Sequence, residues 1–137
     1  MAGYSSTPLA KKLGIKEGSV IRLINEPSYY NELFSDMPDH VEIAGPGKKL
    51  KNLIHFFTKK ASELEKLLPK LKNEIVQDGI IWVSWPKKSA KVETDVSENL
   101  VRDIALATGL VDIKVCAVDD TWSGLKLVIP VKDRKNT

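Results

Sequence analysis

Cysteine is nearly missing from this sequence: Cys116 stands alone among 137 residues. A single cysteine excludes an internal disulfide framework and a thiolate metal cluster. Histidine is almost as scarce, and His40 and His55 share no metal-ligand spacing with each other or with Cys116, so no metal is expected. Apolar runs are short; none approaches the ~18 residues of a membrane span, and the start MAGYSSTPLAKK lacks the apolar core of a signal peptide. A soluble, cytoplasmic protein is therefore expected. Neither sign of charge dominates, since 21 Lys+Arg against 18 Asp+Glu leave +3 spread along the chain. That is too mild for a nucleic-acid footprint. Glycine-based motifs fail as well: GPGKK has a lysine after glycines without the spacing or the following Ser/Thr of a phosphate loop, and no G-x-S-x-G elbow occurs.

What is present is 42% hydrophobic residues, enough for one domain over residues 1–137 with its own core. Thr7-Pro8 reads as cap and first position of a short helix that Gly14 ends. Ser19 to Ile24 reads as the first buried strand, followed by a brief helix around Tyr29, Tyr30, Leu33 and Phe34. Val41 to Ala44 reads as a second strand, closed by Gly45-Pro46-Gly47. Lys48, Lys49 and Lys51 are expected in a loop, and Leu53 to Thr58 in a third strand. Leu64, Leu67, Leu68, Leu71 and Ile75 repeat at helical spacing and predict a helix from Ala61 to Val76, kinked or split at Pro69. Asp78-Gly79 would end it. Ser97 caps a second long helix with a stripe of Leu100, Val101, Ile104, Ala105 and Ala107, stopped by Gly109. Ile113 to Val118 and Leu125 to Val131 then form an antiparallel hairpin around a turn at Asp119 to Gly124. Residues 132–137 read as a loose tail.

The chain is organised around GIIWVSWPKKS, residues 79–89. Its unbroken run Ile80, Ile81, Trp82, Val83 is the pattern of a strand buried on both faces. The element order predicts an α/β fold, a three-layer sandwich on a Rossmann-like, mainly parallel sheet with a C-terminal antiparallel hairpin. The unit of Leu53 to Thr58, helix, DGIIWVSWP, helix, GLVDIKV and a returning hairpin resembles the second half of the methyltransferase fold that binds S-adenosylmethionine. The chain also resembles, through GYSSTPLAKKLGIKEG, WVSWPKKS and GLVDIKVCAVDDTWSGLKLV, a family of small bacterial proteins known as a domain of unknown function, which implies no activity. A working methyltransferase should have a glycine-rich turn after its first strand and an acidic residue ending its second. Here the turn is Asn25-Glu26-Pro27-Ser28, and the second strand ends at Ala44-Gly45, with Glu42 two residues too early. A fold retained without that cofactor is expected.

The functional crevice of an open α/β sheet lies outside the carboxyl ends of its strands. If the first, third and fourth strands are neighbours, Asn25, Ser28, Thr58, Lys59 and Lys87 converge there, with Lys88 and Trp85 beside them. That rim is the expected binding site for a small anion or an acidic protein partner, against the alternative of a solvated basic rim. Trp122 at a hairpin tip would cover the sheet or make a partner or ligand contact. Asp119 and Asp120 are contacts or, in a divergent transferase, a base. Lys48, Lys49, Lys51, Lys59, Lys60, Lys87, Lys88 and Lys91 on one edge with Trp85 could track phosphates, but mixed helix charges make nucleic acid the weaker expectation. Cys116, mid-strand in KVCAV, reads as a small core residue, and His55, in LIHFF, as a hydrogen-bonded core or edge histidine. No catalytic residue and no cofactor are assigned. The two readings are thus a non-catalytic binding or interaction module and a transferase acting at the same rim.

Overall fold

A computed structural model describes residues 7–135. Its regular elements are α1 (Leu9–Leu13), β1 (Val20–Ile24), β2 (Glu42–Ile43), β3 (Lys51–Phe57), α2 (Ala61–Lys72), β4 (Ile75–Pro86), α3 (Glu98–Thr108), β5 (Val111–Ala117) and β6 (Trp122–Val128), with 3-10 turns at Tyr30–Leu33, Lys88–Ala90 and Val131–Asp133. The sheet runs in the order β2-β1-β3-β4-β6-β5. β2, β1, β3 and β4 are parallel, while β6 lies antiparallel to both β4 and β5. No helix among the described residues is long and apolar enough to cross a membrane.

β4 is central because its side chains feed both cores. Ile81, Val83 and Trp85 pack under α2 and α3 with Leu64, Leu68, Leu71, Val101 and Ala105. Trp82 faces the other way, against Ala10 and Leu13 of α1, and its indole Nε1 donates to the Leu13 carbonyl at 2.8 Å. That bond ties the short α1 to the sheet, since five helical residues would not hold without tertiary packing. Three layers result: α2 and α3, the sheet, and a thin layer of α1 and the Tyr30–Leu33 turn.

Local signals held where they were purely local. Ser97 Oγ accepts from the Leu100 amide at 3.2 Å, and Gly14 and Gly109 close their helices at φ 91° and 93°. Several expectations are corrected. Pro8 sits one place earlier than expected, outside α1, so that it and not Thr7 occupies the cap position; the amides of Ala10 and Lys11 donate to the Asp36 carboxylate at 3.1 Å each. α2 is a single helix through Pro69, which lies on its exposed side, and it stops at Lys72. Ile75 and Val76 already belong to β4, which loops out over residues 76–79: Lys51 pairs with Ile75 but Leu53 pairs with Ile80. A Cβ at Gly79 would meet Ile75 Cβ at 2.8 Å and the Val76 carbonyl at 2.9 Å, so the excursion needs glycine there. Lys51 is no loop residue; it opens β3, fully buried. Ala107 faces solvent rather than the core. Trp122, Ser123 and Gly124 open β6 instead of forming the turn. In the tail, Arg134 Nε donates to the Ile129 carbonyl and the Lys135 amide to Gln77 Oε1; residues 136 and 137 lie outside the described residues, as do residues 1–6 of the leader reading.

Candidate functional site

β1, β3 and β4 are neighbours, so their carboxyl ends do form one rim. The rim nevertheless divides. A cleft of about 640 Å³ opens at the ends of β1 and β3, walled by Pro27, Tyr29, Phe57, Val92 and Trp122, with Asn25, Thr58, Lys59, Lys60, Glu63 and Thr121 around it. Trp85, Lys87 and Lys88 line a different cavity of about 760 Å³, facing Ser97 and Glu98 at the start of α3. Ser28 borders a third, of about 340 Å³, beside Glu26, Tyr30 and Ile43. Of the expected site residues, the structure thus brings Asn25, Thr58, Lys59 and Trp122 together and sets Ser28, Trp85, Lys87 and Lys88 elsewhere. Nor do the lysines gather on one edge: Lys51 is sequestered at the amino end of β3, while Lys59 and Lys60 follow its carboxyl end.

The divider is the segment from Lys87 to Val96, which returns over the rim and is fastened there. The Lys59 carbonyl accepts from the Asp95 amide at 3.2 Å and from Thr94 Oγ1 at 2.8 Å. Asp95 in turn accepts from the Ala61 amide at 2.7 Å, which satisfies one of the four free donors at the start of α2. Val92 borders both cavities.

Within the cleft most polar groups are already engaged. Asn25 closes β1 with φ 57°, a left-handed conformation that asparagine tolerates better than most residues. This turns its amide so that Nδ2 donates to the Phe57 carbonyl at 3.0 Å and to Glu63 Oε2 at 3.1 Å. Thr58, buried, donates from Oγ1 to Glu63 Oε1 at 2.7 Å and accepts from the Lys60 amide at 3.2 Å. Glu63 lies in the first turn of α2, where the helix dipole favours a carboxylate. Asn25, Thr58 and Glu63 therefore satisfy one another. No carboxylate pairs with the ammonium of Lys59 or Lys60 among the described residues.

The aromatic wall is similarly fixed. Trp122 packs edge-on against Phe57, ring centroids 5.0 Å apart; it is a buried strand residue and does not cap a loop tip. Asp119 accepts from the amides of Thr121 and Trp122 at 2.8 and 2.7 Å and from the Tyr29 hydroxyl at 2.7 Å. Burial, then the hydrogen bond to Asp119 and its negative charge, raises the Tyr29 pKa, while side-chain hydrogen bonding with Trp122 and Thr121 acts in the opposite direction. Asp119 thus holds the hairpin turn and orients Tyr29, and it is not among the residues that line the cleft. Asp120 is exposed and outside the cleft lining.

Beneath Phe57 lies a closed polar chain: Tyr30 Oη bonds His55 Nδ1 at 2.9 Å, and His55 Nε2 bonds Ser84 Oγ at 2.8 Å. Burial alone lowers the His55 pKa from 6.5 to about 3, so the ring is neutral and is the core histidine its sequence context indicates. Cys116 is buried too, and burial raises its thiol pKa against the pull of nearby lysines; a thiol held protonated is no nucleophile. Sequence reasoning missed Tyr29, Phe57 and Glu63. The first two read as core aromatics, which in part they are, and Glu63 reads as a solvated helix charge. Its position five residues after Thr58 at a strand-to-helix junction was the available signal. Another cavity, about 630 Å³, lies between α2 and α3 at Pro69 and Ile104, remote from the strand ends.

The fold now has a context. The profile of the protein family of unknown function DUF3052 matches residues 10–131, and the chain belongs to that family. No curated protein matches its sequence at a significant level. Among solved structures, it is similar to a putative type 11 methyltransferase from Sulfolobus solfataricus at TM-score 0.63 and 11% identity, covering 94% of this chain and 90% of that one. It is similar to Aeropyrum pernix fibrillarin with natively bound S-adenosyl-L-methionine at TM-score 0.60 and 14% identity, over 88% and 73% of the two chains. A SAM-dependent methyltransferase from Aquifex aeolicus matches at TM-score 0.55 and 13% identity, over 87% of each. At such identities the likeness is one of fold: the methyltransferase-like topology read from the sequence is the observed one.

Proposed function

We propose that this member of the DUF3052 family is a non-catalytic binding module that uses a methyltransferase-like sheet as a scaffold, and that the cleft at the ends of β1 and β3 takes a small anionic ligand. The observation that carries the reading is the division of labour in that cleft. Asn25, Thr58 and Glu63 are consumed in mutual hydrogen bonds, whereas Lys59 and Lys60 have no counter-ion among the described residues and stand beside the wall of Tyr29, Phe57 and Trp122. A flat or apolar body against the rings with a carboxylate or phosphate on the lysines fits that arrangement. Lys87 and Lys88 in the adjoining cavity extend the cationic surface past Val92, so an acidic partner protein larger than a metabolite would meet all four lysines.

The second reading is a divergent transferase at the same place, favoured by the fold shared with a protein crystallised with natively bound S-adenosyl-L-methionine. Against it stands the turn after β1, which has Asn25 and Pro27 where a cofactor-binding glycine turn would sit. The distance from β1 to β2 is also spanned by a 3-10 turn, Tyr30–Leu33, with no α-helix to present its N-terminus to a ligand. A thermal-shift screen decides. Adenosyl compounds, nucleotides and phosphorylated or carboxylated metabolites are each tested, a saturating ligand at about 100 times its Kd adding about 2.7 kcal/mol. A shift with simple anions that is lost in Lys59→Ala/Lys60→Ala supports the module; a shift with S-adenosylmethionine or S-adenosylhomocysteine transfers the case to the transferase.

A further inference from the structure

The free edge of the sheet presents a second surface, independent of the cleft. β5 is the terminal strand, so along Val111–Ala117 one row of backbone donors and acceptors faces outward. Ile113 and Val115 on it are 54% and 47% exposed. Edge strands are usually guarded by a lysine or a bulge, and β5 has both: Lys114, and the register shift between Asp112 and Lys114.

Guarding does not account for what lies behind the edge. Lys126, on the inner strand β6 and half-buried, stands directly across from Lys114 in register. Lys16, from the segment between α1 and β1, acts on the same group: burial first, then Lys114 and Lys16, lower the Lys126 pKa. Lys12 joins from α1, its Nζ donating to the Ala117 carbonyl at 3.2 Å. None of these four lysines forms an ion pair among the described residues. The one acidic residue of β5, Asp112, is occupied by Arg102 at 3.0 Å. Like charges directly opposite across a strand pair are destabilising, and edge protection requires only the outer one. The inner lysine and its neighbours make sense as one half of a complementary charge pattern.

We infer that β5 is a docking edge for an extended acidic segment of a partner protein. The segment adds as a seventh strand: its backbone pairs with the outward groups of β5, and its carboxylates lie over Lys114, Lys126 and Lys16. Pairing of β5 with a second copy of itself would bring Lys114 toward Lys114, so the same lysines that attract an acidic strand discourage self-association.

The test uses a fluorescein-labelled peptide of about ten alternating Glu and Val residues, titrated by anisotropy in roughly 50 mM salt and again in roughly 300 mM, with hydrogen exchange read in parallel. The expected result is saturable binding that weakens with salt, slowed exchange at Val111–Ala117, and about tenfold weaker affinity for Lys114→Glu/Lys126→Glu. Should that double variant fail to fold, Lys16→Glu in the exposed segment before β1 is read in its place and should weaken binding in the same direction. The inference is overturned by an absence of binding, by binding that leaves β5 exchange unchanged, or by charge reversal that leaves affinity within about twofold. It is also overturned in favour of a nucleic-acid surface if single-stranded oligothymidylate binds more tightly than the peptide and loses that affinity in the same variants.

Discussion

Two polar residues on β3 are equally hidden from water, and they are kept there by opposite means. Lys51 at the start of the strand is fully buried as one half of an ion pair, its Nζ 2.9 Å from Glu74 Oε1 and 3.1 Å from the Gly47 carbonyl, while Arg22 holds the other Glu74 oxygen at 2.8 Å. His55, four residues on, is just as buried but carries no charge, spanned by the Tyr30 and Ser84 hydroxyls. The first arrangement is a buried charge that needs its counter-ion. The second is a neutral relay that needs only hydrogen-bond partners. The two should therefore fail differently when one member is removed, because an uncompensated buried charge costs more than an unsatisfied dipole.

The largest effect is expected at Glu74. Glu74→Ala strands the Lys51 ammonium in the core and leaves Arg22 unpaired, at a cost of about 3–5 kcal/mol, measured as a lower urea midpoint. Lys51→Met/Glu74→Leu, which removes both charges at once, should recover most of that loss. If the double variant is no more stable than the single one, Lys51 does not depend on Glu74 and the contrast fails.

Next comes acid. His55 binds no proton in the folded state until about pH 3 but binds one near 6.5 when unfolded. Between those values the unfolded chain holds more protons, so stability is whole above about pH 6.5 and falls with pH at about 1.4 kcal/mol per unit. His55→Phe should cost about 2 kcal/mol at neutral pH, through the stranded Tyr30 and Ser84 hydroxyls, and flatten this slope. An unchanged slope would locate the acid sensitivity in the carboxylates. Ser84→Ala, which deletes one end of the relay, should cost about 1 kcal/mol.

The same contrast explains which parts could be read from the sequence. The Ile80–Val83 run, the Ser97 cap and the Gly109 stop are local, and each stands where expected. Lys51 read as a loop lysine because its burial is decided by Glu74, 23 residues away, and no spacing rule connects them. Ile75 continued a helical stripe but was claimed by pairing with Lys51 in the sheet. Ser123-Gly124 read as turn chemistry, yet Gly124 pairs with Ser84 and Cys116 inside the sheet, and it is glycine because Ser84 Oγ and the Trp82 ring would stand 3.0 and 3.1 Å from a Cβ there. Site legibility followed the same line. Asn25, Thr58 and Lys59 meet because strand adjacency follows from topology. Lys87 and Lys88 part from them because the returning chain is tied to the Lys59 carbonyl, a contact across 35 residues.

The smallest expected effect on stability belongs to side chains whose backbone the fold uses but whose charge it does not pair. Lys59 and Lys60 lack a counter-ion among the described residues, in contrast to Lys51, so Lys59→Ala and Lys60→Ala should each leave the urea midpoint within about 0.5 kcal/mol of the parent. The double variant should at the same time lose the thermal shift given by any anion that the parent protein binds. Glu63→Gln is the matched control: it disturbs Asn25 and Thr58 and should lower stability by about 1 kcal/mol while the two cations remain. A fold that loses stability with Lys59 and Lys60, or an anion response that survives without them, would move these lysines into the structural class with Lys51 and take the binding role away from the cleft.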